Sequence, residues 1–318
     1  MFRRFAAVIL SAILLSPGWL GMTGMTLLIG FVPLLWVSAS YDDTRRSWWG
    51  MFGWATLAFV LWNALTIWWI WYATPVGPPA ATLASTTMNM IAFMLFHTVS
   101  KKAPKALAYV TLVTAWITTE YWYTVGDFSW PWLILGNGFS HEVWAVQWYE
   151  YTGVFGGTLW VLLSNILIFE ALQARRSTRR WAAAACSVAL PMIASLCIWQ
   201  SWEQPDEGTA RVSVIQPNVD CYDKFHGDTQ RQERNIADLM AEVPAGAQFI
   251  LPGAQLVLPG AQFVLPGAQL VLPGFQFGQQ LQNHLFIFHS PTPLLCRMAC
   301  RPCCSIIPRF AQGGKAAG

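Results

Sequence analysis

FAAVILSAILLSPGWLGMTGMTLLIGFVPLLWVSA fills Phe5–Ala39 without one Asp, Glu, Lys, Arg or His. A helix that crosses a bilayer needs about 20 apolar residues. The stretch is too long for one crossing and is interrupted at Ser16-Pro17-Gly18, so it predicts two spans, the first one short. Further apolar runs predict spans at Trp48–Ala73, Ala81–Ser100, Ala106–Tyr123, Val146–Leu172 and Trp181–Trp202, seven in all. The 318-residue chain is 55% hydrophobic and 11% charged, against about 25% charged in a soluble domain. Its 19 Trp are concentrated in the first 202 residues. The first apolar run continues into a second with no small-residue cleavage motif between them, so a cleavable signal peptide is not expected. A net charge of +3 gives no general basic field, which argues against a nucleic-acid partner.

Lys and Arg set the expected orientation. With the N-terminus in the cytoplasm, the inner segments hold Arg3, Arg4, Arg45, Arg46, Lys101, Lys102, Lys105, Arg175, Arg176, Arg179 and Arg180. The opposite loops, around 17–21, 74–80 and 124–145, hold none. Seven spans place everything after Trp202 on the outer face, the periplasm of a Gram-negative cell or its equivalent.

The outer loop 124–145, TVGDFSWPWLILGNGFSHEVWA, is rich in aromatics and glycine. It reads either as an interfacial aromatic belt or as a loop that handles lipid or substrate on the membrane. Glu120, just before it, reads either as a functional intramembrane acid or as a residue reaching the interface. His97 and Glu170 lie near span ends and read as structural.

After Trp202 the character changes. EQPDEGTA (203–210) is a polar linker, and Arg211–Val219 alternates as a strand that ends in a turn. Residues 223–243 carry Ile236, Leu239, Met240 and Val243 at helical spacing, and 244–251 read as a turn and a second strand. Strand, helix, strand is the opening of an α/β domain.

Trp130-Pro131-Trp132 followed by Gly136, the run QWYEYTGVFGGTLWVLLSN (Gln147–Asn165) and VIQPNVDCYDKF (Val214–Phe225), set among several spans, resemble the apolipoprotein N-acyltransferases. The resemblance covers residues 1 to about 252. It implies a polytopic α-helical membrane protein of the bacterial inner membrane, carrying a periplasmic α/β domain of nitrilase type that is truncated here. The implied organisation is a bundle over 1–202, the start of the nitrilase-like domain over 203–252, a tandem repeat over 253–278 and an irregular tail over 279–318. The implied partners are a phospholipid acyl donor, an apolipoprotein whose lipidated N-terminal Cys is acylated, and membrane lipids; no cofactor is implied. The family's chemistry rests on a Glu-Lys-Cys triad, in which Glu is the base, Lys steadies the oxyanion and Cys forms a thioester. The Glu is expected directly after the Pro that closes the second strand, and there this chain has Pro252-Gly253. No Asp or Glu follows Glu242, and Lys315 is the one later Lys. No triad position is carried over, which predicts a chain without transferase activity. Phe225 stands at an aromatic position that implies lipid or substrate contact.

The unit LPGAQ(L/F)V repeats from Leu251 and decays into LPGFQFG. Pro-Gly in every unit forbids a helix and favours type II turns, giving short strands or an elastin-like spring. Near-identical copies followed by a Cys-, Arg- and Pro-rich tail favour slippage and a shifted reading frame. The tail's C-x3-C-x2-C-C (Cys296, Cys300, Cys303, Cys304) fits no common metal spacing, and a periplasmic location would favour disulfides. Cys186 and Cys197 read as packing residues of the seventh span, and Cys221 as a free thiol. Two other classes of protein stay open: a membrane-embedded binding or transport module, and a structural anchor with an elastin-like stalk. Reporter fusions after Thr44, Lys102 and Arg176 should report the cytoplasm, and fusions after Pro78, Phe139 and Gly208 the outside. An outside signal at Lys102 would refute the seven-span topology.

Overall fold

The computed structural model describes residues 1–125, 130–202, 212–216, 218, 229–243 and 249–252. These fall in two compact units, Met1–Glu203 and Gln204–Gly318.

The first unit is a helical bundle. Helix α1 (Phe2–Leu15) ends where Pro17 opens a 3-10 turn over Pro17–Trp19. The second half of the charge-free stretch is not one helix. It forms α2 (Leu27–Gly30) and α3 (Val32–Ala39), separated at Phe31, with Pro33 in the first turn of α3. Proline has no N–H to give and its ring excludes the carbonyl four residues earlier. Asn165 repairs the break. Its Oδ1 accepts the N–H of Phe31 at 2.7 Å and of Val32 at 3.1 Å. Its Nδ2 donates to the carbonyls of Leu27 at 2.7 Å and Val161 at 2.8 Å. Leu27 and Phe31, a carbonyl and an amide that would bond each other in a continuous helix, thus share one side-chain amide.

Four longer helices and one more follow: α4 (Arg45–Ile67), α5 (Gly77–Lys102), α6 (Lys105–Val125), α7 (Tyr149–Gln173) and α8 (Thr178–Ser201). Thr44 and Ser47 begin α4, the Thr44 hydroxyl accepting the Ser47 N–H at 3.1 Å. Among the described residues five helices are long and apolar enough to cross a membrane: Phe2–Trp19, Arg45–Tyr72, Gly77–Lys102, Tyr149–Gln173 and Thr178–Ser201. The expected seven are therefore not all found by this measure. Leu27–Ala39 is short and broken. Helix α6 has 21 residues, but Thr111, Thr114, Thr118, Thr119 and Glu120 dilute its apolar character. Thr111 and Thr114 return their hydroxyls to the carbonyls of Leu107 and Val110, both at 2.8 Å, so these groups tolerate apolar surroundings.

An aromatic column fills the centre. The Phe59 ring meets Phe93 at 5.9 Å and Trp116 at 5.8 Å, and Trp116 meets Phe31 edge-on at 4.9 Å. Helix α8 is peripheral, burying only Ala184 and Ser195. Cys186 and Cys197 are exposed, which corrects their reading as packing residues: the buried stripe of α8 is too narrow to include them. Pro191 sits inside α8 and cannot bond the Ser187 carbonyl one turn earlier. That carbonyl instead accepts the Trp160 indole N–H at 2.8 Å.

In the second unit, β1 (Val212–Ile215) and β2 (Phe249–Pro252) pair in parallel, Val212 opposite Phe249 and Ile215 opposite Pro252. Helix α9 (Thr229–Ala241) lies between them in sequence. Ile236 is buried and Leu239, Met240 and Val243 half-buried, the face expected from their spacing. Asn218 closes the strand exit at φ 54°, a conformation Asn adopts more readily than most residues. Phe225, Gly253, Cys221, the LPGAQ repeat and the Cys-rich tail lie outside the described residues.

Replacing Asn165 with Leu should strand the amides of Phe31 and Val32. At about 1–3 kcal/mol for each orphaned donor, the bundle should lose at least about 2 kcal/mol in unfolding of the detergent-solubilised protein. Leu163→Ala, on the exposed face of the same helix, should lose less than about 1 kcal/mol.

Candidate functional site

The described part of the aromatic loop 124–145 returns into the bundle, and the Glu120 carboxylate holds it there. Glu120 is 4% exposed. Its Oε1 accepts the Leu135 backbone N–H at 2.8 Å and the Trp116 indole N–H at 3.0 Å. Its Oε2 accepts the Thr158 hydroxyl at 2.5 Å. Helix α6, the loop and helix α7 are thereby joined at one side chain. Thr158 Oγ1 in turn accepts the Gly136 N–H at 3.3 Å, and the Tyr149 hydroxyl donates to the Gly136 carbonyl at 2.9 Å. Glu120 neither reaches out to the interface nor stands open to a substrate: both oxygens are committed to protein donors. It is a positioning residue.

Close backbone approach explains the glycines. A Cβ on Gly136 would collide with the Val154 carbonyl, and one on Gly24 with the Gly138 carbonyl. Gly153 takes φ 65° inside α7, a left-handed conformation that interrupts the helix just where the loop packs. Glu142 fixes the other side of the loop: its two oxygens accept the Gly24 N–H at 3.2 and 3.1 Å. Trp19 donates its indole N–H to the Trp132 carbonyl at 2.9 Å, and the Trp69 and Trp132 rings meet at 5.2 Å. Ser195 links the loop to α8, accepting the Gln147 N–H at 2.7 Å and donating to the Trp144 carbonyl at 2.6 Å. Trp132, Trp144, Tyr121, Trp122 and Tyr151 stay exposed around this anchored core.

His97 and Glu170 have structural surroundings. The buried His97 ring shares a 2.7 Å hydrogen bond between Nδ1 and Ser38 Oγ, tying α5 to α3. Glu170 receives the Tyr109 hydroxyl at 2.6 Å, Lys105 at 3.0 Å and Arg180 at 3.1 Å. No group of three His, Cys, Asp or Glu among the described residues is arranged to hold a metal. Glu142, Asn165, Thr158 and Ser195 were not singled out by sequence, although Thr158 and Asn165 lie inside the run Gln147–Asn165 that carries the family resemblance.

A membrane-embedded helical bundle with an aromatic loop bound into one end defines the class: a polytopic α-helical membrane domain. Residues 10–167 match the family model described as the apolipoprotein N-acyltransferase N-terminal domain. Over those residues the chain is thus similar to the N-terminal domain of the apolipoprotein N-acyltransferases. The apolipoprotein N-acyltransferase of Chlorobaculum tepidum is 28% identical over 212 residues, covering 63% of this chain and 38% of the relative. The chain therefore spans well under half the length of that relative.

Glu120→Leu should free the Leu135 amide, the Trp116 indole and the Thr158 hydroxyl together. Hydrogen exchange followed by mass spectrometry should show residues 133–139 losing at least about tenfold in protection, with Glu120→Gln nearer wild type because its Oε1 still accepts. Unchanged protection in the Leu variant would remove Glu120 from its anchoring role.

Proposed function

We propose that this chain is a lipoprotein-maturation protein of the bacterial inner membrane whose bundle supports phospholipid-dependent N-acylation of apolipoproteins, and that the chain does not itself carry out the transfer. The supporting observation is convergence at one residue. Trp130–Gly136 and Gln147–Asn165, which carry the resemblance, meet around Glu120 through Leu135, Gly136 and Thr158. In this reading the anchored loop presents its exposed tryptophans and tyrosines to lipid at the outer face, where such rings settle. The N-terminus is cytoplasmic, and the segment after Trp202, beginning a nitrilase-like domain over 203–252, is periplasmic. Phe225 contributes a lipid contact there.

The inactive reading is supported by Gly253, which stands where the resemblance expects the base. Loss of a general base alone costs about 10²–10⁴-fold. A transport reading finds less support. The span acids Glu120 and Glu170 are each held by three side-chain or backbone donors, so neither begins a relay of ionisable groups.

Expressed in cells depleted of their own N-acyltransferase, this chain should not restore triacylated lipoprotein. A chimera placing residues 1–202 before the C-terminal part of an active relative should restore it, and Glu120→Leu in that chimera should lower it. Mass spectrometry of lipoprotein N-termini is the readout. N-acylation by the unaltered chain would overturn the inactive reading, and a silent but membrane-assembled chimera would overturn the role of the bundle.

A further inference from the structure

The turn between α7 and α8 carries Arg175, Arg176, Arg179 and Arg180 within six residues. The acid within reach, Glu170, is already satisfied: Tyr109 donates at 2.6 Å, Lys105 at 3.0 Å and Arg180 at 3.1 Å. No ion pair among the described residues holds Arg175, Arg176 or Arg179, and all three are exposed. Three cationic charges are therefore left without an ion-pair partner among the described residues. Arg175, Arg176 and Ser177, with Leu172, Gln173 and Ala174, line a shallow cavity of about 730 Å³. The same cavity borders the start of α8, where Ser177 caps the Arg180 N–H at 3.4 Å and the helix adds partial positive charge of its own. Trp181 is partly exposed beside it, its indole N–H donating to the Arg175 carbonyl at 3.2 Å, so the ring is pinned at the turn.

We propose that this turn is a binding site for the phosphate of an anionic phospholipid headgroup. The choice of a lipid over a soluble phosphate rests on depth. The turn closes two helices apolar enough to span a membrane, Tyr149–Gln173 and Thr178–Ser201, so it lies where headgroup phosphates lie. Trp181 occupies the interfacial position such rings prefer. Arginine presents a planar fork that meets two phosphate oxygens at once, and here Arg175 and Arg176 line one cavity while Arg179 stands exposed on the first turn of the next helix. The exposed apolar side chains of α8 below the turn, Leu190 and Ile193, offer a surface for the acyl chains of the same lipid. Glu170 has a definite part in this arrangement: by taking up Lys105 and Arg180 it fixes the end of α7 against α6 and α8 and leaves the other arginines facing outward. The site is independent of whether the chain has transferase activity.

The test is native mass spectrometry of the full chain released from detergent after exchange with phosphatidylglycerol or phosphatidylcholine. The wild-type protein should retain phosphatidylglycerol in preference. Each basic residue at a bilayer surface is worth about fivefold in affinity for anionic lipid, so Arg175→Gln/Arg176→Gln/Arg179→Gln should weaken retention by up to about 100-fold. That variant leaves Lys105 and Arg180 on Glu170. If the triple variant does not assemble, the wild-type preference is measured against ionic strength and should fall by about tenfold or more between ~0.05 M and ~0.5 M salt, as expected for exposed charges. Equal retention of the two lipids by the wild type, equal retention by an assembled triple variant, or a salt-independent preference would each overturn the proposal. Complete displacement of the lipid by millimolar inorganic phosphate would assign the site to a soluble anion and overturn it as well.

Discussion

One buried carboxylate fixes the architecture of this bundle. Glu120 lies inside apolar surroundings, where a charge or an unpaired amide is costly, and it answers both problems at once by taking three donors from three parts of the chain. Leu135 belongs to an irregular segment with no ladder to satisfy its amide. Without an acceptor at this depth, that segment would have to remain outside among the headgroups. With it, the loop descends between α6 and α7, and its glycines let the backbone come close enough for Tyr149 and Thr158 to grip Gly136 from both sides.

The same solution recurs wherever the bundle departs from regular helix. The break between α2 and α3 is bridged by Asn165, the carbonyl left free by Pro191 is met by Trp160, and the Gly24 amide is met by Glu142. In each case the irregular backbone group and the polar side chain that satisfies it come from elements distant in sequence. Inside a membrane, where water cannot take up orphaned groups, such pairs couple the placement of neighbouring helices. The interior polar residues are thus positioning devices, and the lipid contacts proposed here fall to the rim: aromatic side chains at the loop end, arginines at the α7–α8 turn.

The sequence alone determined that this is a membrane bundle, where five of its apolar helices run, and which loop is unusual, because those facts depend on local composition and run length. Val212–Ile215, Thr229–Ala241 and Phe249–Pro252 were legible for the same reason, since period and turn residues are local signals. The family resemblance could be read because Trp130–Gly136 and Gln147–Asn165 are contiguous motifs. Tertiary structure alone decided that Phe5–Ala39 yields one long helix and a broken short pair, that Glu120 faces inward, and that Cys186 and Cys197 face outward. Asn165 lies more than 130 residues from the amides it satisfies, and Glu142 lies 118 from Gly24. A hydrogen bond between residues so far apart leaves no periodic trace in either segment, so only the folded bundle could show which polar groups meet.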